Sequence, residues 1–571
     1  MNWGDYTYHA ETILYASLFF LLFLTLLLPT GSIFFRVFGV KGEGVSSSLS
    51  IAGAVLLYSY LLALMLALGL SSTAIAAIIA SIAILCLSLW LHTGLYRHAT
   101  SSRGLLVQLS FYCLCLSFCS FPDGKIQNFS PATTSNIFEL PVDNLISYNT
   151  SRFLSSKINM NRLEVVPLWK ATDRGPLSAL MNSAIFKLLG LEERDHWLFT
   201  TPELFFIYKC LMTFLNTLSL LLIWELCAHY CGPIAACTAS LIASSSYFFS
   251  VNCLYAWPKL FCATYVILSL TLLQNLPSRS PYRQLATSGL LFAGALLSHN
   301  SAIFCLCALA IHSLYRALRR GFFVKRTITF SAALLGGIAP WELYKFLYAK
   351  SSSRLIYLHL FCNRDESIAR LSLLEAAKKY LENNEIISIL GVRLDNLLYP
   401  FNFLSIDDLG LLWRAPHQFI EESSHLSFYQ LSFALGILFF PMFLYSLFSA
   451  SREKSAKPFL RNSLISHLAL VPALAVFGCA EATSNHHWAY AAYLCGVMQL
   501  GYFVDSSGPL MAKIANLAFA LNFVALIHRC YFAEASLLFL HTPSSFVYVQ
   551  VGLFALFLLF CNPSTRSHGG G

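Results

Sequence analysis

Apolar runs of about 17–22 residues recur along this chain, and each is long enough to cross a hydrocarbon core of roughly 30 Å. A backbone in such runs must satisfy its own N–H and C=O groups, so the runs can only be helices or strands of a closed barrel. Their length selects helices. With 57% hydrophobic and 11% charged residues in 571, no soluble domain accounts for the composition. The pattern predicts an all-α, polytopic transmembrane bundle of about 13–15 spans, with 1–571 as a single integral-membrane domain.

Fifteen apolar segments stand out: 12–34, 48–70, 72–92, 105–121, 203–227, 233–251, 258–276, 284–298, 301–315, 327–347, 428–448, 462–478, 489–504, 511–528 and 545–561. The first lacks the basic flank and small-residue cleavage site of a removable signal. The pair 284–298 and 301–315 is interrupted at Ser298-His299-Asn300-Ser301 and has basic residues on both flanks, which favours a hairpin over one long helix. Alternate short connections then carry seventeen Lys and Arg, among them Arg36, Arg97, Arg283, Arg319 and Arg452. The opposite connections carry two, Lys259 and Arg529. The basic side reads as cytoplasmic. On that basis the N-terminus lies outside, the C-terminus inside, and the membrane is a bacterial inner membrane. The net charge of +9 follows the membrane, so nucleic acid is not a partner.

The chain divides into N-terminal spans (1–104), a first large loop (122–202), a second (348–427) and C-terminal spans (428–571), with both large loops extracytoplasmic. Most of the 17 cysteines lie inside apolar runs, where cysteine behaves as a small hydrophobe. The His, Cys and Asp spacings match no zinc motif, and a divalent ion has no support in the sequence.

The first large loop is where chemistry is expected, because connections that merely join spans are short. It holds Pro141-Val142-Asp143-Asn144 and Thr172-Asp173-Arg174-Gly175-Pro176. Leu177, Leu180, Met181, Ala184, Ile185 and Leu188 then recur at helical spacing, with Pro176 at the start and Gly190 as the stop. The apolar face of this helix belongs on the membrane surface or on the spans. Asp143 and Asp173 each precede a helix. Each is either an N-cap or a working carboxylate, and a joint role requires them to lie within about 10 Å of each other. In the second loop, Arg364–Asn384 reads as an amphipathic surface helix, a lid or wall.

The order of five motifs carries a resemblance: PVDNLISYNTSRFL, DRGPLSALMNSAIF, LYAWPKLFCA, LLSHNSAIF and APWELYKFLYAKSSSRLIYLHL, within roughly 105–425. The chain resembles the integral-membrane glycosyltransferases of the GT-C superfamily. It is closest to a bacterial branch with motifs of the type DN-x3-Y, DRPPL, WPK and PW-x2-Y. Gly175 departs from that branch, which favours proline there, and three spans precede the matched region. The resemblance implies two outer loops closing over a cavity at the membrane face. It implies a polyprenyl-phosphate sugar as donor, and a glycan, lipid or protein hydroxyl as acceptor. It places the catalytic base on Asp143, with Asp173 as a second acid. Asn144 and Tyr148 fall in the first motif.

Cationic candidates for the donor phosphate are Arg174, Lys259, Lys345 and Arg354. Lys259 also suits snorkelling to the interface, and Trp257, Trp341 and Tyr344 suit an interfacial aromatic belt. His299 is either structural or a contact to phosphate or acceptor. Two other readings stand beside this one: an O-antigen ligase or polymerase-like enzyme using a diphosphate-linked glycan, and a lipid or solute transporter. A transporter places ionisable residues within spans, and these spans read as nearly charge-free.

Overall fold

The computed structural model describes residues 3–40, 46–95, 102–118, 145–156, 164–166, 169–171, 174–191, 202–245, 247–254, 256–274, 281–320, 324–349, 360–361, 371–398, 465–466, 468–469, 490–508, 510, 513–514, 517 and 546–561. The expected span at 428–448, and most of those at 462–478 and 511–528, lie outside this set.

The described chain is helical apart from one two-stranded ribbon. Its helices are α1 (Trp3–Val37), α2 (Ser46–Ala67), α3 (Ser72–His92), α4 (Ser102–Phe118) and α5 (Leu145–Ser156). The antiparallel strands β1 (Glu164–Val166) and β2 (Trp169–Lys170) follow, with Glu164 opposite Lys170. Then come α6 (Leu177–Leu188), α7 (Pro202–Tyr230), α8 (Pro233–Ser245), α9 (Tyr247–Leu254), α10 (Lys259–Gln274), α11 (Pro281–Ser298), α12 (Ala302–Arg320) and α13 (Val324–Tyr344). A π-turn over Lys345–Ala349 ends α13, and α14 (Leu373–Asn383), α15 (Ile386–Leu398), α16 (Tyr490–Ser506) and α17 (Phe546–Cys561) complete the set.

Among the described residues, four helices are long and apolar enough to cross a membrane: Ile13–Val37, Ser46–Ala67, Ser72–His92 and Leu204–Tyr230. By length and composition the chain is a helical, membrane-associated protein. Two boundaries differ from the sequence reading. The segment 233–251 forms two helices, α8 and α9, and Ser250 Oγ donates to the Ser244 carbonyl at 2.8 Å across the break. The amphipathic segment begins at Leu373, because Ser372 and Glu375 form a reciprocal capping box.

Helix α7 is the hub. It is nine-tenths buried and touches α4, α8, α10 and, through side chains, α2. In lipid, apolar side chains gain nothing by leaving lipid for protein, so close approach and polar links decide the packing. Gly289 of α11 lies against the Phe330 carbonyl and Ala333 of α13, and Gly337 of α13 lies against Ala293 of α11. These contacts set α11 and α13 side by side and parallel. Helix α12, between them in sequence, must therefore carry the chain back. His299–Ser301 is a turn and not a kink, which agrees with the hairpin expected from the basic flanks.

One acidic residue inside α7 departs from the charge-free reading of the spans. Glu225 is buried and accepts the Ser47 amide at 2.9 Å, the Ser48 amide at 3.1 Å and the Ser48 hydroxyl at 2.6 Å. It is the N-cap of α2, supplied by another helix. The first N–H groups of a helix have no intrahelical partner, and Glu225 accepts two of them here. Glu225→Ala removes an acceptor shared by buried donors, at about 1–3 kcal/mol for each, whereas Glu225→Gln keeps one acceptor oxygen. Thermal unfolding in detergent should place the Ala midpoint well below that of Gln, with Gln itself below the parent.

Candidate functional site

The site is built by helices that stop short. Call the end of the bundle where α11 finishes and α10 begins the site end. Tyr265 of α10 donates to the Ala52 carbonyl of α2 at 2.7 Å, and Gly294 of α11 lies against Leu56 and Tyr265. At 1.5 Å per residue, Lys259 and His299 then lie near the level of Ser59 and Tyr60 of α2. Helix α2 continues from Ser59 to Ala67, about 12 Å further. The short α10 and α11 thus leave a recess below the rim.

Helix α6 fills that recess. Its first residue meets α2, where Ser59 Oγ donates to the Leu177 carbonyl at 3.4 Å. Its last turn reaches α3, where Lys187 Nζ donates to Ser72 Oγ at 2.8 Å. The helix therefore climbs out of the bundle along α2. Ten of its twelve residues are buried, including Ser178, Asn182 and Ser183. Of the two placements expected for its apolar face, the spans are the one observed. Pro176 stands at its N-cap and makes no side-chain cap.

The segment before α6 lies against the end of α11. A Cβ on Gly175 would overlap the Leu297 carbonyl oxygen. That is the physical reason for glycine where the resembling branch has proline. The close approach brings Arg174 Nη1 to 3.4 Å from His299 Nε2. The His299 ring is fixed from its other side, with the Ser301 amide donating to Nδ1 at 3.2 Å and the Ser301 hydroxyl 2.8 Å from the same atom. The Ser301 amide and the Arg174 guanidinium can only donate, so His299 is approached by a donor at each ring nitrogen, and the Arg174–His299 contact is where a cation and the imidazole meet.

Lys259 belongs to the same end. Cys262, one turn further along α10, donates Sγ–H to the His299 carbonyl at 3.6 Å. The Lys259 ammonium is buried, 3.3 Å from the Trp257 ring centroid and 5.9 Å from that of Tyr490. This corrects the snorkelling reading, because the cation is held by aromatic faces inside the bundle. The turn ahead of it contains Ala256 at φ +60°, the one non-glycine residue in the left-handed region among the described residues. A polar network sets its base. Asn216 of α7 accepts the Phe261 amide at 3.3 Å, capping α10, and donates to the Asn252 carbonyl at 3.1 Å. Tyr490 donates to Asn252 Oδ1 at 2.7 Å. Asn216, Asn252, Ser301 and Tyr490 were missed as site residues. A lone amide in an apolar run such as Asn216 was the available signal.

The other expected site residues divide clearly. Asp143, Asn144, Asp173 and Arg354 lie outside the described residues. The helices that follow the first three start together, since Ser178 of α6 donates to Ser147 of α5 at 3.0 Å. Tyr148 is fully buried between Phe205 and Tyr208, with ring centroids at 5.2 and 5.0 Å, so its ring serves packing. Trp341 and Tyr344 stack at 5.3 Å and 9° near the end of α13, which the α11–α13 register places at the site end. Lys345 is paired with Glu342 at 2.6 Å. Among the described residues no group of three His, Cys, Asp or Glu could hold a metal ion.

Comparison with protein-family models, curated proteins and solved structures finds no match.

Because Gly175 sets the Arg174–His299 approach, Gly175→Ala should cost about 1–3 kcal/mol through overpacking. Gly336→Ala, with open space around it on α13, should leave stability unchanged. Unfolding midpoints of the two variants in detergent check this.

Proposed function

We propose that the protein is a GT-C-like glycosyltransferase. It moves a sugar from a polyprenyl-phosphate donor to an acceptor hydroxyl at the outer face of the membrane. The carrying observation is the meeting of Arg174 with His299 beside the start of α6, with Lys259 one turn before Cys262, which reaches the His299 carbonyl. The buried charged side chains add to it. Arg152, Lys187, Lys209 and Lys259 are basic, while the buried acid among the described residues, Glu225, sits toward the opposite end of α7. Buried cations in a low-dielectric bundle beside lipid suit a phosphate on a lipid tail.

In this reading Asp143 takes the acceptor hydroxyl proton as that oxygen bonds to the anomeric carbon. The bond from that carbon to the phosphate oxygen breaks, and polyprenyl phosphate leaves. Its new charge falls to Arg174, His299, Lys259 and the α6 amides. Asp173, Asn144, Trp341, Tyr344 and Arg354 belong to the sugar and acceptor side. The count of about 13–15 spans, the outside N-terminus and the bacterial inner membrane are part of the same proposal.

A diphosphate-linked glycan donor is the second reading. A transporter is less well supported. The buried acid among the described residues, Glu225, is occupied as a cap.

Asp143→Asn keeps shape and capping capacity but cannot accept a proton, so turnover should fall by about 10²–10⁴-fold. Arg174→Ala should raise KM for the donor before it lowers kcat. A transfer assay in proteoliposomes with polyprenyl-phosphate sugars checks both. An Asn variant that keeps most of its activity removes Asp143 from the mechanism.

A further inference from the structure

Helices α14 and α15 repeat one surface pattern. In α14, Leu373, Leu374, Ala377 and Leu381 fall at i, i+1, i+4 and i+8. In α15, Ile386, Ile387, Leu390 and Leu394 fall at the same four positions. These sets form a single stripe on each helix, spanning about 100° of its circumference. The large members face outward, to the extent of 80% exposure at Leu374 and 83% at Ile387.

The pair is locally built. Ser372 and Glu375 close the capping box that starts α14. Those Ser372 hydroxyl and amide donors hold the Glu375 carboxyl below its usual range. Asn384 leaves the helix in extended backbone and donates to the Tyr380 carbonyl at 2.8 Å. Other flanks of the two helices meet one short segment. Tyr380 packs on Phe361 at 5.7 Å, and Arg393 donates to the Leu360 carbonyl at 3.0 Å. The stripes are left outward.

We propose that α14 and α15 lie in the plane of the membrane interface, with both stripes seated among lipid acyl chains. Two features select lipid over a protein partner. The stripes are aliphatic throughout, whereas protein interfaces concentrate Trp, Tyr and Arg at their centres. The same chain carries helices able to cross a bilayer, so the pair is tethered beside one. Charges of both signs border the α14 stripe, with Lys378 and Glu382 paired at 3.8 Å and Glu375 and Lys379 nearby. That border is close to neutral. Insertion therefore depends on apolar burial and not on anionic headgroups. This inference does not rest on the glycosyl-transfer reading.

The test uses the full-length protein in phosphatidylcholine nanodiscs, with a dansyl-bearing residue placed at 387, at 390 or, as a control on the charged arc, at 379. Surface positions of this kind tolerate replacement, and an unchanged gel-filtration profile verifies folding. Lipids brominated in the acyl chain should remove most emission at 387 and 390 and little at 379. Aqueous iodide should do the reverse, and added phosphatidylglycerol should change neither. Equal bromolipid quenching at 387 and 379 overturns the proposal. So does protection of 387 from both quenchers, which marks a protein cover: a second copy if dilution abolishes it, the rest of this chain if not.

Discussion

A helix that begins inside an apolar bundle must find acceptors for its first amides, and this constraint organises the protein. Water cannot serve them and a local cap is often absent. Helix α7 answers it twice. Glu225 caps α2 and Asn216 caps α10, each from the flank of a neighbouring helix. These two links fix the depth at which α2 and α10 start, and hence how far α10 falls short of the end of α2. Glu225 is affordable in this setting because three donors meet it. A buried carboxylate without them would cost several kcal/mol.

The recess follows from that depth. With α10 and α11 ending below α2, there is room for a helix to enter the bundle from one end, and α6 takes it. Its N-cap residue Pro176 makes no side-chain cap, and Arg174, two residues earlier, meets His299. A helix N-terminus favours an anion, and that is the physical ground for proposing an anionic group there. Gly175 is the price of the approach, since any side chain would push Arg174 away from His299.

The helices were largely legible in the sequence, and their arrangement was not. Apolar run length and caps predict α2, α3 and α16 to within a few residues, and Pro176 and Gly190 bound α6. The hairpin at Ser298–Ser301 was readable from the basic flanks on both sides. What failed was depth. Lys259 reads as an interfacial lysine, because a cation at the head of a span commonly snorkels. It lies instead over Trp257, inside the bundle. The periodicity of α6 shows one apolar stripe, yet Ser178, Asn182 and Ser183 on its other side are buried too. Periodicity reports which face is apolar and cannot say that polar neighbours cover the rest. Glu225 was overlooked because one acid in a long apolar run carries no local pattern, and its partners are some 180 residues away. The amphipathic segment of the second loop was placed too early, although Ser372 and Glu375 show the S-x-x-E capping pattern openly.

The account turns on a recess where α6 begins and Arg174 meets His299. A side-chain-resolution structure in a lipid nanodisc, with a polyprenyl-phosphate sugar added, tests it most directly. The account predicts phosphate density bridging Arg174 and His299 at the start of α6, with Lys259 beneath. Phosphate bound at the rim, or α6 lying flat on the bilayer away from Ser59, would contradict it.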